Sequence, residues 1–212
     1  MKKITLLLLF LALTSCGISY DGETRLILET KVLDRNGNFL SGIETKVRAS
    51  NGSDEDLISS GFSNSYGNTF LTFTKPINAS IDISFSNEQS GYDVRSFYDI
   101  KPENFDNYKL IMDEVILLKT DDIVYLGISF VKNSSEYNSL ISSRIEGLVS
   151  GKQSLNLQDG EFYNSENINF TVAKYQNVVI HYTLMNNDTK VKTDYTFPIL
   201  IENESVSQII NY

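Results

Sequence analysis

Strict alternation of apolar and polar side chains is the feature that most restricts the fold of this chain. Between residues 43 and 49, Glu44, Lys46 and Arg48 occupy every second position. Residues 77–86 repeat the pattern with short polar residues between Ile77, Ala79, Ile81, Ile83 and Phe85. A helix would scatter such apolar residues around its circumference, whereas a strand places them all on one face. The pattern therefore predicts strands with one buried and one wet face.

The same alternation extends over two parts of the chain. It begins at Arg25, with Leu26, Leu28, Thr30 and Val32 on one face, and restarts with Val124, Leu126, Ile128 and Phe130. Ile141, Ile145 and Val149 are predicted to share a face, and a strand over residues 69–74 is predicted to end at Pro76. A polar break at residues 119–122 separates the two parts. We therefore predict an all-β chain of two tandem immunoglobulin-like sandwich domains, residues 25–119 and 120–212.

Turn signals support this division into strands. Residues 34–38 contain Asn36-Gly37, the dipeptide that most favours a tight hairpin because both residues tolerate a positive φ. Residues 186–188 form a second polar turn between two apolar stretches, 178–185 and 190–197. Both turns are predicted to join neighbouring strands.

The N-terminus carries a different signal. Lys2 and Lys3 precede an apolar run of about ten residues, which is too short for the roughly 20 residues that span a bilayer. The run ends in Leu13-Thr14-Ser15-Cys16, which resembles the bacterial lipobox. The resemblance implies a signal peptide over residues 1–15, lipidation of Cys16 and a tether over residues 16–24. Gly17 after the cysteine favours the outer membrane in Gram-negative sorting. The alternative is an ordinary signal with a chance cysteine.

Composition then excludes several kinds of chemistry. Cys16 is the single cysteine, so its lipidation would leave no thiol for a disulfide or a nucleophile. Lys2 and Lys3 are two of 18 basic residues, so the mature chain would carry 16 against 27 acidic ones, a net charge of −11. Such a charge disfavours binding to nucleic acid, and we expect no nucleic-acid partner.

Residues 27–85 resemble the carboxypeptidase regulatory-like, or transthyretin-like, β-sandwich. The resemblance depends on the Asp-x-Asn-Gly turn at Asp34, followed by Ser41-Gly42, and on the segment from Gly61 to Phe73. Asn64 stands where that family usually has Asp, and one additional residue precedes Phe70. The resemblance implies a sandwich fold and a role as a spacer, stalk or binding module without a peptidase site.

No residue pattern indicates a catalytic, cofactor or metal site. His181 is the single histidine and is expected on the wet face of a strand, opposite Ile180, Tyr182 and Leu184. Acidic groups at residues 54–56, 121–122 and 159–161 are interpreted as solvated loops, although calcium binding stays open. Five aromatic residues are expected mainly in the core rather than in an exposed patch: Tyr92, Phe97, Tyr98, Phe105 and Tyr108.

These observations favour a non-enzymatic lipoprotein of the cell envelope, attached to the membrane through Cys16. Its sandwiches would bind an envelope protein or a glycan through loops or sheet edges. Two other functions stay open. One is a small hydrolase that uses loop carboxylates, and the other is a small-ligand carrier with a cavity inside a sandwich.

Overall fold

The computed structural model describes residues 17–87, 91–101, 104–112, 114–133, 137–150 and 166–212. Cys16, the apolar run at 155–157 and the acidic group at 159–161 lie outside the described residues. The described chain is all-β, as predicted, with a 3-10 turn at Thr120–Asp122 before β9. The strands are β1 (Ser19–Asp34), β2 (Glu44–Ser50), β3 (Glu55–Phe62), β4 (Asn68–Ile77), β5 (Ser80–Ser86), β6 (Arg95–Ile100), β7 (Lys109–Ile111), β8 (Val115–Leu117), β9 (Ile123–Val131), β10 (Asn138–Glu146), β11 (Asn167–Ala173), β12 (Gln176–Asn186), β13 (Lys192–Ile201) and β14 (Val206–Asn211).

These strands form four sheets. In the N-terminal half, one sheet has the order β4-β1-β7, with β8 also paired to β1, and the other has the order β3-β2-β5-β6. In the C-terminal half the orders are β10-β12-β13 and β11-β9-β14. Within the described residues, no helix has the length and hydropathy needed to cross a membrane.

Buried apolar side chains form two separate clusters. One contains residues between Leu26 and Leu117, and the other contains residues between Val124 and Tyr212. Each cluster collects inward-facing residues from both sheets of its half of the chain. The gap between the clusters coincides with the polar break seen in the sequence, and the domain boundary at residues 119–120 stays a prediction.

The inward faces of β1 and β9 follow the predicted alternation. Leu26, Leu28, Thr30 and Val32 are all buried, as are Val124, Leu126, Ile128 and Phe130. However, β1 begins at Ser19, where it already pairs with β4, so Gly17 and Ile18 are the only described residues of the expected tether that precede the first strand. Backbone pairing with β4 extends β1 back to Ser19, although the residues before Arg25 show no apolar alternation of their own.

Two turns of the N-terminal half have the same hydrogen-bond pattern. The side-chain Oδ1 atoms of Asp34 and Asn64 each accept bonds from the backbone N–H groups two and four residues later. Gly37 and Gly67 complete the turns with φ of 81° and 73°. Asn64 therefore takes the structural role of the Asp that is usual at this position of the transthyretin-like pattern, because the turn needs only a carbonyl-type oxygen as acceptor.

The turn at Asp34 does not join two long neighbouring strands, which corrects the hairpin prediction. After the turn, Phe39 forms a single bridge with Leu33, and the chain then crosses to β2 in the opposite sheet. The turn at residues 186–188 does form the predicted hairpin, between β12 and β13.

Three finer predictions are corrected by the structure. Ile77 is the last residue of β4 and is 43% exposed, because Asn78 turns the chain with a φ of 56°. Only Ile81, Ile83 and Phe85 of that run are buried on β5. Pro76 does not end β4, which is an edge strand and tolerates the missing N–H. A bulge between Leu140 and Ser142 buries Leu140 rather than Ile141 on β10, and Val149 follows the strand.

We expect Gly67→Ala to lower the free energy of unfolding by about 2–3 kcal/mol in urea titrations. An alanine costs about 1–2 kcal/mol in a left-handed conformation, and its Cβ would lie 2.5 Å from the backbone oxygen of Val32. Gly52→Ala is the matched control, because Gly52 has a φ of 90° but nothing within 4 Å of the added Cβ. Equal losses for the two variants would show that the contact with Val32 is unimportant.

Candidate binding cleft

His181 lies where the sequence placed it. It is on the outer face of β12, between Arg144 on β10 and Thr196 on β13, while Ile180 and Leu184 are buried. The outer faces of these three strands form a shallow polar groove of about 270 Å³. His181 is therefore a surface residue of the sheet, but it is not isolated.

Glu146 is the partner of His181 that the sequence did not reveal. Its Oε2 atom lies 2.7 Å from Nε2 of His181, although the contact lacks the angle of a hydrogen bond, and 3.8 Å from Nη2 of Arg144. The three residues meet only because β10 and β12 are antiparallel in this register. Glu146 is largely exposed whereas His181 Nε2 is buried, and ion pairs with an exposed partner contribute about 0–1 kcal/mol to stability.

The acidic groups in the described residues are solvated. Glu55 forms an ion pair with Arg48, and Asp56 accepts a hydrogen bond from Tyr20. No Asp or Glu of the described residues is buried, and no cluster of metal-ligating side chains forms among them. The described part of the chain therefore does not assemble the buried carboxylate pair that the hydrolase hypothesis requires.

The five aromatic residues singled out in the sequence divide into two groups. Phe97 is buried, and Tyr92 and Phe105 are partly buried against the N-terminal core. Tyr98 and Tyr108 are 67% and 63% exposed. The expectation that these residues fill the core is correct for three of the five.

Tyr98 lies at the rim of a cleft between the two halves of the chain. The cleft has a volume of about 380 Å³, within the range usual for ligand sites. Its lining comes from β6 and the residues before it, from the end of β8, and from Ser150 and β11. These residues are Asp93, Val94, Arg95, Ser96, Tyr98, Ile116, Leu117, Leu118, Ser150, Asn169, Phe170 and Thr171.

The cleft follows strand edges rather than a sheet face. Its lining contains the consecutive residues 93–96 and 169–171, although side chains alternate between the two faces of a strand. Among the strands of the described residues, β6 and β11 are the terminal strands of their sheets, and the cleft borders both. We call this space the edge cleft.

Arg95 supplies the positive charge of the edge cleft. Its guanidinium carbon lies 5.1 Å from the centroid of the Phe97 ring, two residues further along the same face of β6. Burial lowers the pKa of Arg95, while the nearby carboxylate of Asp93 opposes this shift. The guanidinium of Arg95 therefore has an aromatic ring and a carboxylate near it within this part of the chain.

Ser150 supplies a buried hydroxyl group. The residue is 7% exposed, and its Oγ atom has no hydrogen-bond partner in the structure that is described. Buried Gln176 holds the turn, because its Oε1 accepts a bond from Val149 N–H and its Nε2 donates to the carbonyl of Ala173. An unsatisfied buried hydroxyl costs about 1–3 kcal/mol. It is therefore a marker of a place where a ligand group can be accommodated.

The opposite wall is formed by β11. Asn169 lies directly across from Gly127 on β9, and a Cβ on Gly127 would approach Asn169 Oδ1 to 3.3 Å. The glycine thus leaves room for the amide of Asn169 beside the cleft. The described residues of the lining include one carboxylate and neither His nor Cys, and their polar groups can form hydrogen bonds with a ligand.

No protein-family model matches this chain, and no curated protein matches it. Among solved structures, the TIE protein of Bacillus anthracis aligns over 89% of this chain and 34% of its own, at 15% identity and a TM-score of 0.33. The shaft pilin SpaA of Lactobacillus rhamnosus GG aligns over 88% and 96%, at 10% identity and a TM-score of 0.33. A streptococcal ancillary pilin aligns over 90% and 62%, at 10% identity and a TM-score of 0.31.

This chain thus spans about a third of the length of the Bacillus anthracis protein. TM-scores this low do not establish a common fold with any of the three. The function is therefore argued from the residues of this chain.

We expect Ser150→Ala to leave the free energy of unfolding unchanged or to raise it by about 1 kcal/mol, because it removes a buried hydroxyl without a partner. Ser63→Ala is the matched control. Ser63 is equally buried, but its Oγ donates to the carbonyl of Leu40 at 2.7 Å and accepts from Ile43 N–H at 2.9 Å.

The control should therefore lose about 1–3 kcal/mol, since a buried N–H and a carbonyl lose their partner. Chemical denaturation of both variants measures the difference. A loss for Ser150→Ala as large as for the control would mean that the Ser150 hydroxyl is already satisfied.

Proposed function

We propose that this chain is a lipid-anchored lipoprotein of the outer membrane and that it serves as a binding or structural module rather than as an enzyme. Its two halves are tandem immunoglobulin-like sandwich domains, the first of the transthyretin-like type. The lipobox at Leu13 to Cys16 supports the anchor, and the two separate apolar clusters support the division into domains. The direction of β1 is the observation on which the proposal depends most.

The start of β1 is attached to the N-terminal half almost immediately after Cys16. Ser19 pairs with Ile77, and the hydroxyl of Tyr20 donates to Asp56 on β3 at 2.7 Å. Burial and this bond to a carboxylate raise the pKa of Tyr20 to about 12, so the phenol stays protonated as a donor at neutral pH. With Gly17 and Ile18 alone between lipid and sheet, this end of the N-terminal domain would lie against the bilayer.

The other end of β1 leads to the C-terminal half. β8 pairs in parallel with the last residues of β1, Val32 to Asp34, so the chain leaves the N-terminal half at that end. Arg35 there donates to the carbonyl of Lys174, and Lys174 N–H donates to the carbonyl of Asp122. β1 has 16 residues but bulges between Asp21 and Arg25, so its 13 paired positions, at about 3.3 Å per residue, span roughly 43 Å. The N-terminal domain would thus hold the C-terminal domain about that far from the membrane.

Lipidation of Cys16 can be measured directly. We expect the wild-type protein to incorporate radiolabelled palmitate and to fractionate with the outer membrane. Cys16→Ala should incorporate none, because it removes the thiol that accepts the lipid. Ser15→Ala is the matched control, since it keeps a small residue before the cysteine and should still be labelled. An unlabelled wild-type protein would contradict the anchor.

The orientation predicts a large difference between two labelling positions. Ser53 lies in the loop before Asp56, at the Ser19 end of β1, whereas Asp188 lies in the turn at the far end of β12. With Cys16 lipidated, Ser53→Cys and Asp188→Cys each provide a single thiol for a fluorescent donor. In vesicles with acceptor-labelled headgroups, energy transfer should be strong from position 53 and near zero from position 188.

Each labelled protein in detergent without acceptor provides the baseline for this measurement. Equal transfer from the two positions would mean that the protein lies flat on the membrane, and the spacer role would be lost even if the anchor is correct.

A further inference from the structure

We propose that Asn51 is a site of spontaneous covalent modification, where the loop between β2 and β3 promotes the deamidation of its own side chain. The chain contains two Asn-Gly dipeptides, Asn51-Gly52 and Asn36-Gly37. In such a pair the backbone nitrogen of the glycine can attack the side-chain carboxamide carbon of the asparagine, because glycine has no Cβ to hinder the approach. The proposal does not depend on the lipid anchor or on the binding role.

The reaction has two steps, and water is its only co-reactant. In the first step a bond forms between the backbone nitrogen of Gly52 and Cγ of Asn51, while the bond from Cγ to Nδ2 breaks. The side-chain nitrogen leaves as ammonia with the proton of the Gly52 amide, and a succinimide ring remains. In the second step water opens the ring at either carbonyl, which gives aspartate or isoaspartate at position 51.

The loop places three donors on the oxygen that becomes negative in the first step. Asn51 Oδ1 accepts hydrogen bonds from the Ser53 N–H at 3.0 Å, from the Ser53 hydroxyl at 3.0 Å and from the Asp54 N–H at 2.9 Å. When the glycine nitrogen attacks Cγ, negative charge develops on this same oxygen. Preorganised donors aimed at a developing oxyanion lower the barrier to the reaction. The hydrogen bonds that shape the loop therefore also activate the carboxamide group of Asn51.

The attacking nitrogen of Gly52 is only weakly engaged. Its N–H donates to Ser50 Oγ at 3.5 Å, the long limit of a hydrogen bond. A Cβ added to Gly52 would meet nothing within 4 Å, so the space around this nitrogen is open. Asn51, Gly52 and Ser53 are all exposed, so water reaches the ring that the first step forms.

The pair Asn36-Gly37 is an internal comparison with the same two residue types in another turn. Gly37 is as open as Gly52, since a Cβ on it would also meet nothing within 4 Å. However, the N–H of Gly37 donates to the carbonyl of Asp34 at 3.0 Å. The turn must break this backbone hydrogen bond before the nitrogen of Gly37 can attack. We therefore expect Asn51 to react before Asn36.

Deamidation would change both the charge and the backbone of the loop. An aspartate at position 51 adds a carboxylate to a loop that already contains Asp54, Glu55 and Asp56. An isoaspartate also routes the chain through the side chain, which lengthens the backbone by a methylene group. The hydrogen bond from Asn51 N–H to the carbonyl of Asp54 would then be disturbed. The start of β3 would thus change with the age of the protein molecule.

The test follows both asparagines in one sample of the full chain, kept in detergent micelles at neutral pH and physiological temperature. Tryptic cleavage after Arg35 and Arg48 places Asn36 and Asn51 in different peptides, and mass spectrometry measures the conversion of amide to acid in each. We expect conversion of Asn51 to be roughly 10-fold faster, the effect of one or two hydrogen bonds on a barrier. Equal rates in the folded protein would overturn the proposal.

The same measurement in urea separates the effect of the fold from that of the local sequence. Both turns are lost in the unfolded chain, so the two rates should become equal, and Asn51 should react more slowly than in the folded protein. A difference between the two asparagines that persists unchanged in urea would belong to the neighbouring residues. Either that result or a slower reaction of Asn51 in the folded protein would overturn the role of the loop.

Two serine variants test the donors on Asn51 Oδ1. Ser53→Ala removes the hydroxyl donor and should slow the conversion of Asn51 about 2- to 10-fold, the loss expected for a single hydrogen bond. Ser59→Ala on β3 is the matched control and should leave the rate unchanged, because its hydroxyl donates to the carbonyl of Thr72 at 3.1 Å. An unchanged rate in Ser53→Ala, or equal slowing in both variants, would contradict the activation of the carboxamide by the loop.

Discussion

The pairing of β1 with three other strands is the constraint on which the rest of the structure depends. β4 pairs antiparallel along most of its length, while β7 and β8 pair in parallel with successive segments of it. Parallel pairing requires a long crossover connection. The chain that follows β1 must therefore return towards the start of β1 before β7 and β8 can run beside it in the same direction. The direction in which the chain leaves the N-terminal half is thereby determined, and with it the place where β9 begins.

Local alternation was sufficient to predict most of the strands and most of the buried residues, but it did not predict β14. It failed where a single residue reverses the chain, as at Asn78, or where a bulge shifts the phase, as at Leu140. Neither event changes the hydrophobic pattern of the neighbouring residues, so neither has a local signal beyond the tolerance of Asn for a positive φ. The turn at Asp34 was predicted correctly, but the sheet to which its second arm belongs depends on distant pairing.

The candidate site had no comparable signal in the sequence. Arg95, Ser150 and Asn169 belong to segments far apart in the chain, and none stands in a recognisable motif. Their relation arises because β6 and β11 are terminal strands of different sheets and lie on either side of one space. Which strand is terminal is decided by the order of the whole sheet. The contact between Glu146 and His181 could not be predicted for the same reason, because it depends on the register between β10 and β12.

The edges of the four sheets also differ in how they are protected against pairing with another chain. β13 carries Pro198, and β3 begins with Glu55 and Asp56, which are devices that discourage association between edges. β11, with the sequence NINFTVA, and β14, with the sequence VSQIIN, are the terminal strands of one sheet and have neither charge nor proline. If the edge of such a strand is exposed, its unpaired backbone N–H and C=O groups can pair with a strand of another chain. In the described structure β11 is paired with β9 along one edge, and its other edge lies beside the edge cleft together with β6, so its surroundings and not its sequence distinguish it from β14.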